Sequence, residues 1–211
     1  MHLLTLYTHP HSRGATVRWM LEECGASYQT VPVHFGTEMK SPAYLAINPM
    51  GKSPALKVGD TVLTEAAAII TFLAEQYPDK HLIPAASSLA RGEYYRWLCF
   101  ALHCEYAMMD RWHGISNDDA RRRAIGYGDF DSAINTLSHF LHGKTFALDE
   151  HFSALDLYLS GLIGWGMFRA QVLPTDGVLA RYAQQHIQRP AFLRAQALDQ
   201  ALAEEMGLTA R

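Results

Sequence analysis

The chain has 211 residues, of which 49% are hydrophobic and 18% charged, and its formal net charge at pH 7 is -3. This composition excludes a disordered chain, and the length suits one large domain or two small ones with a substantial core. Because the longest basic block is Arg121-Arg122-Arg123, no strong attraction to nucleic acids or anionic membranes is expected.

Short strands alternate with helices at the start of the chain. The hydrophobic pattern predicts a strand over residues 3–7, a helix over 12–24 that Gly25 ends, and a second strand over 28–33. This order is a βαβ unit.

A second group of elements follows before residue 78. Gly59-Asp60 separates two runs rich in β-forming residues, which is typical of a hairpin. Residues 65–76 then show helical periodicity and end before Pro78. A βαβ unit followed by a ββα unit predicts a small sheet covered by helices.

The second half of the chain has helical patterns only. Prolines and serines are frequent over residues 78–88, which predicts a linker. Phe130, Ile134, Leu137 and Leu141 then recur at helical spacing, and a similar pattern follows Pro190. In the stretch FSALD, residues 152–156, the serine and the aspartate have the spacing of a capping box, so a structural role is expected for the aspartate.

Targeting and disulfide signals are lacking. The start MHLLTLYTHP has no cationic segment followed by a long apolar core, which predicts a cytoplasmic protein. The longest apolar run, residues 155–168, is too short to span a bilayer and indicates a buried helix. Cys24, Cys99 and Cys104 are odd in number and lack Cys-x-x-Cys spacing, so neither disulfides nor a cysteine metal site is predicted.

Three polar patches of the first half indicate a binding site. The stretch YTHPHSRG, residues 7–14, begins a helix whose free amides and dipole favour an anion such as a thiolate. In NPMGKSP, residues 48–54, Pro54 precedes a strand and marks a tight or cis turn that leaves the Ser53 backbone free for a peptide-like ligand. In TEAAA, residues 64–68, Glu65 opens a helix, where a carboxylate beside free amides suits an amino acid end-group.

In this order and spacing the motifs resemble those of the soluble, bacterial-type glutathione S-transferase family. The resemblance rests on YTHPHSRG, NPMGKSPAL, TEAAAIITFLAEQYP, the SALD capping box and the stretch RPAFLRA, and it covers nearly the whole chain. It implies an α/β thioredoxin-like N-terminal domain that binds glutathione over residues 1–78. It further implies a linker over 79–88 and an all-α C-terminal domain over 89–211 that forms the electrophile pocket.

The resemblance implies six glutathione-binding residues: Lys40, Lys52, Ser53, Pro54, Glu65 and Ala66. The Ser53 backbone would pair with the cysteinyl part, Glu65 and the amide of residue 66 would hold the γ-glutamyl end, and the two lysines would face the glycine carboxylate. The family usually has serine after the acidic residue. Ala66 therefore lacks one hydroxyl donor, and its absence is expected to weaken glutathione binding by about 0.5 to 1.5 kcal/mol.

The group that activates the thiol is open among three residues of YTHPHSRG. Lowering a thiol pKa of about 8.5 by about two units requires roughly 2.7 kcal/mol of thiolate stabilisation, and the family uses Tyr, Ser or Cys near this turn as the donor. Ser12, at the helix start beside Arg13, is the first candidate, although a plain N-cap explains it too. Tyr7 is the second candidate, with a core tyrosine as the alternative, and His11 is the third.

Other features limit the chemistry. The stretch contains no cysteine, which argues against the disulfide-forming branches, and its histidines lack a further ligand at a defined spacing, so no metal site is predicted. In YAMMDRWHG, residues 106–114, the side chains of Tyr106, Met109 and His113 are predicted to line the electrophile pocket, with ordinary helix packing as the alternative.

The sequence therefore predicts a homodimeric glutathione transferase that conjugates the glutathione thiolate to a hydrophobic electrophile. Glutathione is the co-substrate, and no resident cofactor is expected. Glutathione-dependent peroxidase activity is a variant of the same chemistry. A non-catalytic binding or regulatory protein of the same fold is the alternative.

Overall fold

The computed structural model describes residues 3–148 and 150–208, which form two compact units. The first unit runs through Lys80 and also contains the segment from Arg189 onward, and the second comprises His81–Gln188. The first unit thus ends close to the predicted boundary at residue 78. The last helix belongs to the first unit, whereas the predicted second domain, residues 89–211, included it.

In its described residues the first unit combines a sheet of four strands with four α-helices. The strands are β1 Leu4–Thr8, β2 Tyr28–Pro32, β3 Ala55–Val58 and β4 Thr61–Thr64. The helices are α1 Gly14–Cys24, the short α2 Pro42–Leu45, α3 Ala66–Gln76 and, near the end of the chain, α9 Pro190–Glu205. The strand order is β2-β1-β3-β4, with β1 and β2 parallel and the other pairs antiparallel. This mixed sheet is the predicted thioredoxin-like arrangement.

The register of the sheet brings three segments to one edge. Tyr7 on β1 pairs with Ala55 on β3, and Ala55 pairs with Thr64 on β4. Strands β1 and β4 end at or next to these paired residues, and β3 begins there. The turn after β1, the residues before Ala55 and the start of α3 therefore lie along the same edge, which we call the site edge.

Local sequence explains where α1 begins and ends. Its apolar face, formed by Val17, Met20 and Leu21, is fully buried, as the 3.6-residue periodicity predicts. Gly25 ends the helix with φ 64°, a left-handed conformation that glycine adopts without steric penalty.

The last helix, α9, packs on α1 through both apolar and charged contacts. The rings of Trp19 and Phe192 pack edge to face with their centroids 4.8 Å apart. The Arg189 guanidinium donates two hydrogen bonds to the Glu23 carboxylate, at 2.6 and 2.9 Å. Arg18 donates to the buried Asp199 at 2.7 Å. Burial raises the pKa of Asp199 to about 6, although the guanidinium charge opposes this shift.

In the described residues of the second unit, helices are the only regular secondary structure. Its helices are α4 Leu89–Trp112, α5 Asp119–Ala124, α6 Phe130–Leu141, α7 Ala154–Phe168 and α8 Gly177–His186. The predicted buried run is α7, most of whose side chains are inaccessible to solvent. In the part of the chain that the structure describes, no helix has the combination of length and apolarity that a membrane span requires.

The predicted capping box is present at the start of α7. The Asp156 carboxylate accepts from the Ser153 amide at 2.8 Å and from the Ser153 hydroxyl at 2.6 Å. It also accepts from the Ala147 amide at 2.7 Å and from the Tyr182 hydroxyl. Burial and the neighbouring carboxylate raise the pKa of Tyr182 well above its ordinary value, so the phenol stays a donor.

Candidate functional site

Ser12 lies at the centre of the turn between β1 and α1. Its amide and its hydroxyl both donate to the His9 carbonyl, at 2.9 and 2.7 Å, and the Gly14 amide donates to its Oγ at 3.0 Å. The hydroxyl therefore accepts from an amide two residues on, as in the predicted capping interpretation. It also reaches across the site edge, where the Ser12 Oγ and Ser53 Oγ atoms are 2.9 Å apart.

Glycine is required at the first position of α1. A Cβ atom on Gly14 would lie 1.9 Å from the Thr8 Oγ1 atom and 3.0 Å from the Ser12 Oγ atom. The end of β1 and the start of α1 approach each other this closely only without a side chain. The position of the Ser12 hydroxyl depends on that close approach.

The His9 side chain holds the same turn from the inside. It is buried, it stacks on Phe35 with ring centroids 3.8 Å apart, and its Nδ1 atom accepts from the His11 amide at 3.1 Å. Burial, with smaller contributions from His11 and His34, lowers the pKa of His9 to about 4. At neutral pH the imidazole is therefore uncharged and carries its proton on Nε2. The predicted candidate His11 is itself exposed.

The turn before β3 has a fixed backbone. The Ser53–Pro54 peptide bond is cis, which is one of the two alternatives that the sequence left open. The Lys52 carbonyl accepts from the Tyr44 hydroxyl at 2.7 Å and from the Asn48 side-chain amide at 2.8 Å. These two bonds set the direction of the peptide that leads into Ser53, so its backbone is presented in one orientation.

The third segment of the site edge is the start of α3. The helix begins at Ala66, one residue later than predicted, because Glu65 has φ 65° and ψ 112°, which is not a helical conformation. The Glu65 side chain is exposed and forms no capping hydrogen bond. The first amides of a helix have no acceptor within it, so α3 presents free donors beside a carboxylate.

The remaining predicted residues of the first unit have defined positions. Lys40 and Lys52 are exposed, and the Lys40 Nζ atom donates to the Met50 carbonyl at 2.9 Å. Tyr7 is half-buried and packs against the apolar cluster of Val33, Met39 and Tyr44, with its ring 6.3 Å from that of Tyr44. The role of Tyr7 in thiol activation stays a prediction.

The predicted electrophile residues lie at the end of α4 in the second unit. Tyr106 and His113 are exposed, and Met109 is half-buried. A cavity of about 460 Å³ lies nearby within this unit, lined by residues that include Asp110, Arg111, Asn117, Tyr127 and Phe130. The three predicted residues do not line that cavity. Their contact with a substrate stays a prediction.

The three cysteines lie on helices, Cys24 on α1 and Cys99 and Cys104 on α4. Cys24 and Cys104 are buried, and burial raises the pKa of each thiol to about 12, whereas Cys99 is exposed on α4. Within residues 3–148 and 150–208, no group of three or more His, Cys, Asp or Glu side chains is arranged to hold a metal ion.

Sequence reasoning missed the side chains that hold the turns. The Asn-Pro pair at residues 48 and 49 is a turn signal from which the role of Asn48 could have been inferred. Nothing in the sequence indicates that the Tyr44 hydroxyl reaches the Lys52 carbonyl. The contact between the Ser12 and Ser53 hydroxyls joins residues 41 positions apart and has no local signature.

Comparison with known proteins shows what the chain is similar to. The family profile described as "Glutathione S-transferase, N-terminal domain" matches residues 3–75. The chain is similar to the maleylacetoacetate isomerase of Pseudomonas aeruginosa, with 41% identity over 85 residues that cover 38% of this chain and 40% of that protein. It is also similar to glutathione S-transferase GstA of Escherichia coli O157:H7, with 28% identity over 153 residues that cover 70% of this chain and 73% of that protein.

The first of these matches spans only two fifths of the relative's length, and solved structures extend the similarity. A sphingomonad glutathione S-transferase complexed with glutathione superimposes with a TM-score of 0.75 at 28% identity. That match covers 92% of this chain and 98% of the other. A glutathione transferase of Methylococcus capsulatus, with a TM-score of 0.77 and 24% identity over 94% of this chain, has the same fold. Residues 3–75 therefore match the N-terminal domain family of glutathione S-transferases, and the chain over most of its length is similar to glutathione S-transferases.

Proposed function

We propose that the protein is a glutathione transferase that binds glutathione along the site edge and stabilises its thiolate for attack on a hydrophobic electrophile. Glutathione acts as co-substrate, and the reaction uses no resident cofactor. One observation carries the proposal. The pairing of Tyr7 with Ala55 and of Ala55 with Thr64 gathers two helix starts and the cis-proline turn at one edge.

Each segment of the edge suits a different part of the tripeptide. The backbone of Ser53, oriented by the fixed turn before it, pairs with the cysteinyl part as an added strand would. The free amides at the start of α3 bind the γ-glutamyl carboxylate, and the exposed Glu65 carboxylate binds its ammonium group. Lys40 and Lys52 are exposed and face the glycine carboxylate in this assignment.

The sulfur then lies at the start of α1. The amides of that helix start and a hydroxyl donor stabilise the negative sulfur relative to the thiol. Together they need to supply roughly 2.7 kcal/mol to lower the thiol pKa by about two units. Ser12 is the donor that the sequence favoured, with Tyr7 and His11 as the other candidates. Holding the thiolate beside the electrophile adds the advantage of proximity.

The first experiment separates binding from catalysis. The purified protein is passed over immobilised glutathione, its affinity is measured by calorimetry, and conjugation is assayed with chlorodinitrobenzene. Capture with turnover supports the proposal, and capture without turnover favours the non-catalytic binding protein. Absence of capture and of calorimetric binding would refute both. An organic hydroperoxide in place of the aryl halide tests the peroxidase variant.

Two variants at the start of α3 test the assigned orientation of glutathione. Glu65→Gln removes the charge that faces the ammonium group, so glutathione should bind about tenfold more weakly. Ala66→Ser adds the hydroxyl that the family usually has, and should tighten binding by about 0.5 to 1.5 kcal/mol. Unchanged affinity in both variants would place the γ-glutamyl end elsewhere.

The proposal also includes a homodimer in the cytoplasm, which the family relationship suggests. Light scattering after size-exclusion chromatography measures the mass of the particle against the 23.6 kDa of one chain. Cell fractionation tests the location. Tyr106, Met109 and His113 are the proposed electrophile contacts, and alanine variants should raise the KM for the aryl halide but leave glutathione affinity unchanged.

A further inference from the structure

The side chain of Ser53 has a contact that its assigned backbone role does not use. Its Oγ atom lies 2.9 Å from the Ser12 Oγ atom, so two hydroxyl groups meet at the site edge. Both side chains are half-buried. The inference drawn from this pair rests on the proposed function and concerns which of the two hydroxyls serves the sulfur.

The Ser12 hydroxyl has no spare hydrogen-bonding capacity. A serine hydroxyl has one proton to donate and two lone pairs that accept. The His9 carbonyl, 2.7 Å away, has no proton, so Ser12 is the donor in that contact. The Gly14 amide, 3.0 Å away, occupies one lone pair. The contact with Ser53 therefore has Ser53 as donor and fills the second lone pair of Ser12.

The Ser53 hydroxyl is in the opposite situation. Across residues 3–148 and 150–208 its only hydrogen bond is the one to Ser12. The Ser53 hydroxyl can rotate and donate to an incoming anion, and the protein then loses only the hydrogen bond between the two neutral serine hydroxyls. The Ser12 Oγ atom then still accepts from the Gly14 amide. For Ser12 to donate instead, it would have to give up its shorter bond, which is to a carbonyl.

The position of Ser53 in the chain favours the same assignment. In the proposed function the Ser53 backbone pairs with the cysteinyl residue of glutathione, so the Ser53 side chain neighbours the cysteinyl sulfur. A hydrogen bond to a charged acceptor is about twice as strong as one between neutral groups. The exchange of a bond to Ser12 for a bond to a thiolate is therefore favourable.

We infer that the Ser53 hydroxyl donates a hydrogen bond to the glutathione thiolate, and that Ser12 is a positioning residue that holds the Ser53 hydroxyl in the free protein. The thiol proton leaves to solvent, the sulfur keeps the negative charge, and Ser53 stays protonated throughout. Ser53 is then the catalytic hydroxyl, and Ser12 organises the turn together with the His9 carbonyl.

The test measures the thiol pKa of bound glutathione from the ultraviolet absorbance of the thiolate as pH is varied. Ser53→Ala should raise this pKa by about one unit, which lowers kcat/KM about tenfold at a pH below the wild-type value. Ser53→Thr keeps a hydroxyl and should restore the wild-type pH profile. Ser12→Ala leaves the Ser53 proton available and should shift the pKa by less than half as much.

The outcomes are distinguishable. If Ser53→Ala binds glutathione with an unchanged thiol pKa, or if Ser12→Ala causes the larger shift, the inference is wrong while the proposed function stands. If the wild-type protein does not bind glutathione, the proposed function fails and the inference with it. Urea midpoints of all three variants confirm that each is folded, and the threonine variant provides the comparison should the alanine variant be unstable.

Discussion

Asp156→Ala should be among the most destabilising substitutions in the second unit. The carboxylate is fully buried and accepts from two backbone amides, those of Ala147 and Ser153, and from the hydroxyls of Ser153 and Tyr182. A buried donor left without an acceptor costs about 1 to 3 kcal/mol. Some of these donors should reach water once the surrounding structure relaxes, so the total loss is smaller than the sum over four donors. The free energy of unfolding should fall by about 4 kcal/mol, which is equivalent to a melting temperature lower by about 12 °C.

Urea denaturation followed by circular dichroism measures this loss. Asp156→Asn keeps one carbonyl oxygen as an acceptor and should lose about half as much stability. Asp119→Ala is the matched control, because its side chain is 85% exposed and lies 3.8 Å from Arg122, so its effect should stay within about 0.5 kcal/mol. A loss of less than about 1 kcal/mol for Asp156→Ala would show that the carboxylate does not organise these donors.

Three further predictions concern stability and reactivity. Gly14→Ala should lower the free energy of unfolding by about 2 kcal/mol, because the new Cβ atom would lie 1.9 Å from a threonine hydroxyl of β1. Gly92→Ala is the control: its Cβ atom would point into open space, so the variant should be neutral or stabilising in the same urea titration. Of the three thiols, Cys99 alone should react with a disulfide reagent in the native protein, since the other two are buried with pKa values of about 12; rapid reaction of three thiols would contradict this. The pKa of His9 is about 4 in the folded protein and about 6.5 in the unfolded chain. The contribution of His9 to the free energy of unfolding is therefore complete above pH 6.5 and should decline by about 3 kcal/mol as the pH falls toward 4. Asp199 has a raised pKa and changes the free energy of unfolding in the opposite direction. The difference in unfolding free energy between the wild type and His9→Gln isolates the contribution of His9, and a difference that does not vary with pH would refute this prediction.

Local patterns were sufficient to predict most of the first unit. The hairpin at Gly59-Asp60, the cis bond before Pro54 and the end of α1 at Gly25 depend on residues next to each other in the chain, and all three are present. The start of α3 was displaced by one residue because Glu65 adopts a positive φ angle. Such a conformation is disfavoured for glutamate and is set by the surrounding structure, not by helix propensity.

Contacts between distant residues could not be predicted. Leu193 and Leu198 of α9 belong to the apolar pattern that follows Pro190 in the sequence, yet both are substantially exposed. The buried face of this helix instead includes Ala195 and Asp199, because Arg18 of α1 pairs with that aspartate across 181 residues of sequence. A buried ion pair of this kind reverses the expectation that leucine is buried and aspartate exposed.

The site edge consists largely of backbone groups that buried side chains hold in place. His9 fixes the His11 amide, and Tyr44 and Asn48 fix the Lys52 carbonyl. Donors already oriented lose little entropy when an anion binds, so they stabilise it more than flexible side chains do. In the proposed glutathione site, alanine at position 66 is compatible with binding, since any residue supplies the backbone amide. In the proposed site a hydroxyl group adds to the stabilisation of the sulfur that the amides at the start of α1 supply, so the hydrogen-bond partners of Ser12 and Ser53 determine which hydroxyl can do so.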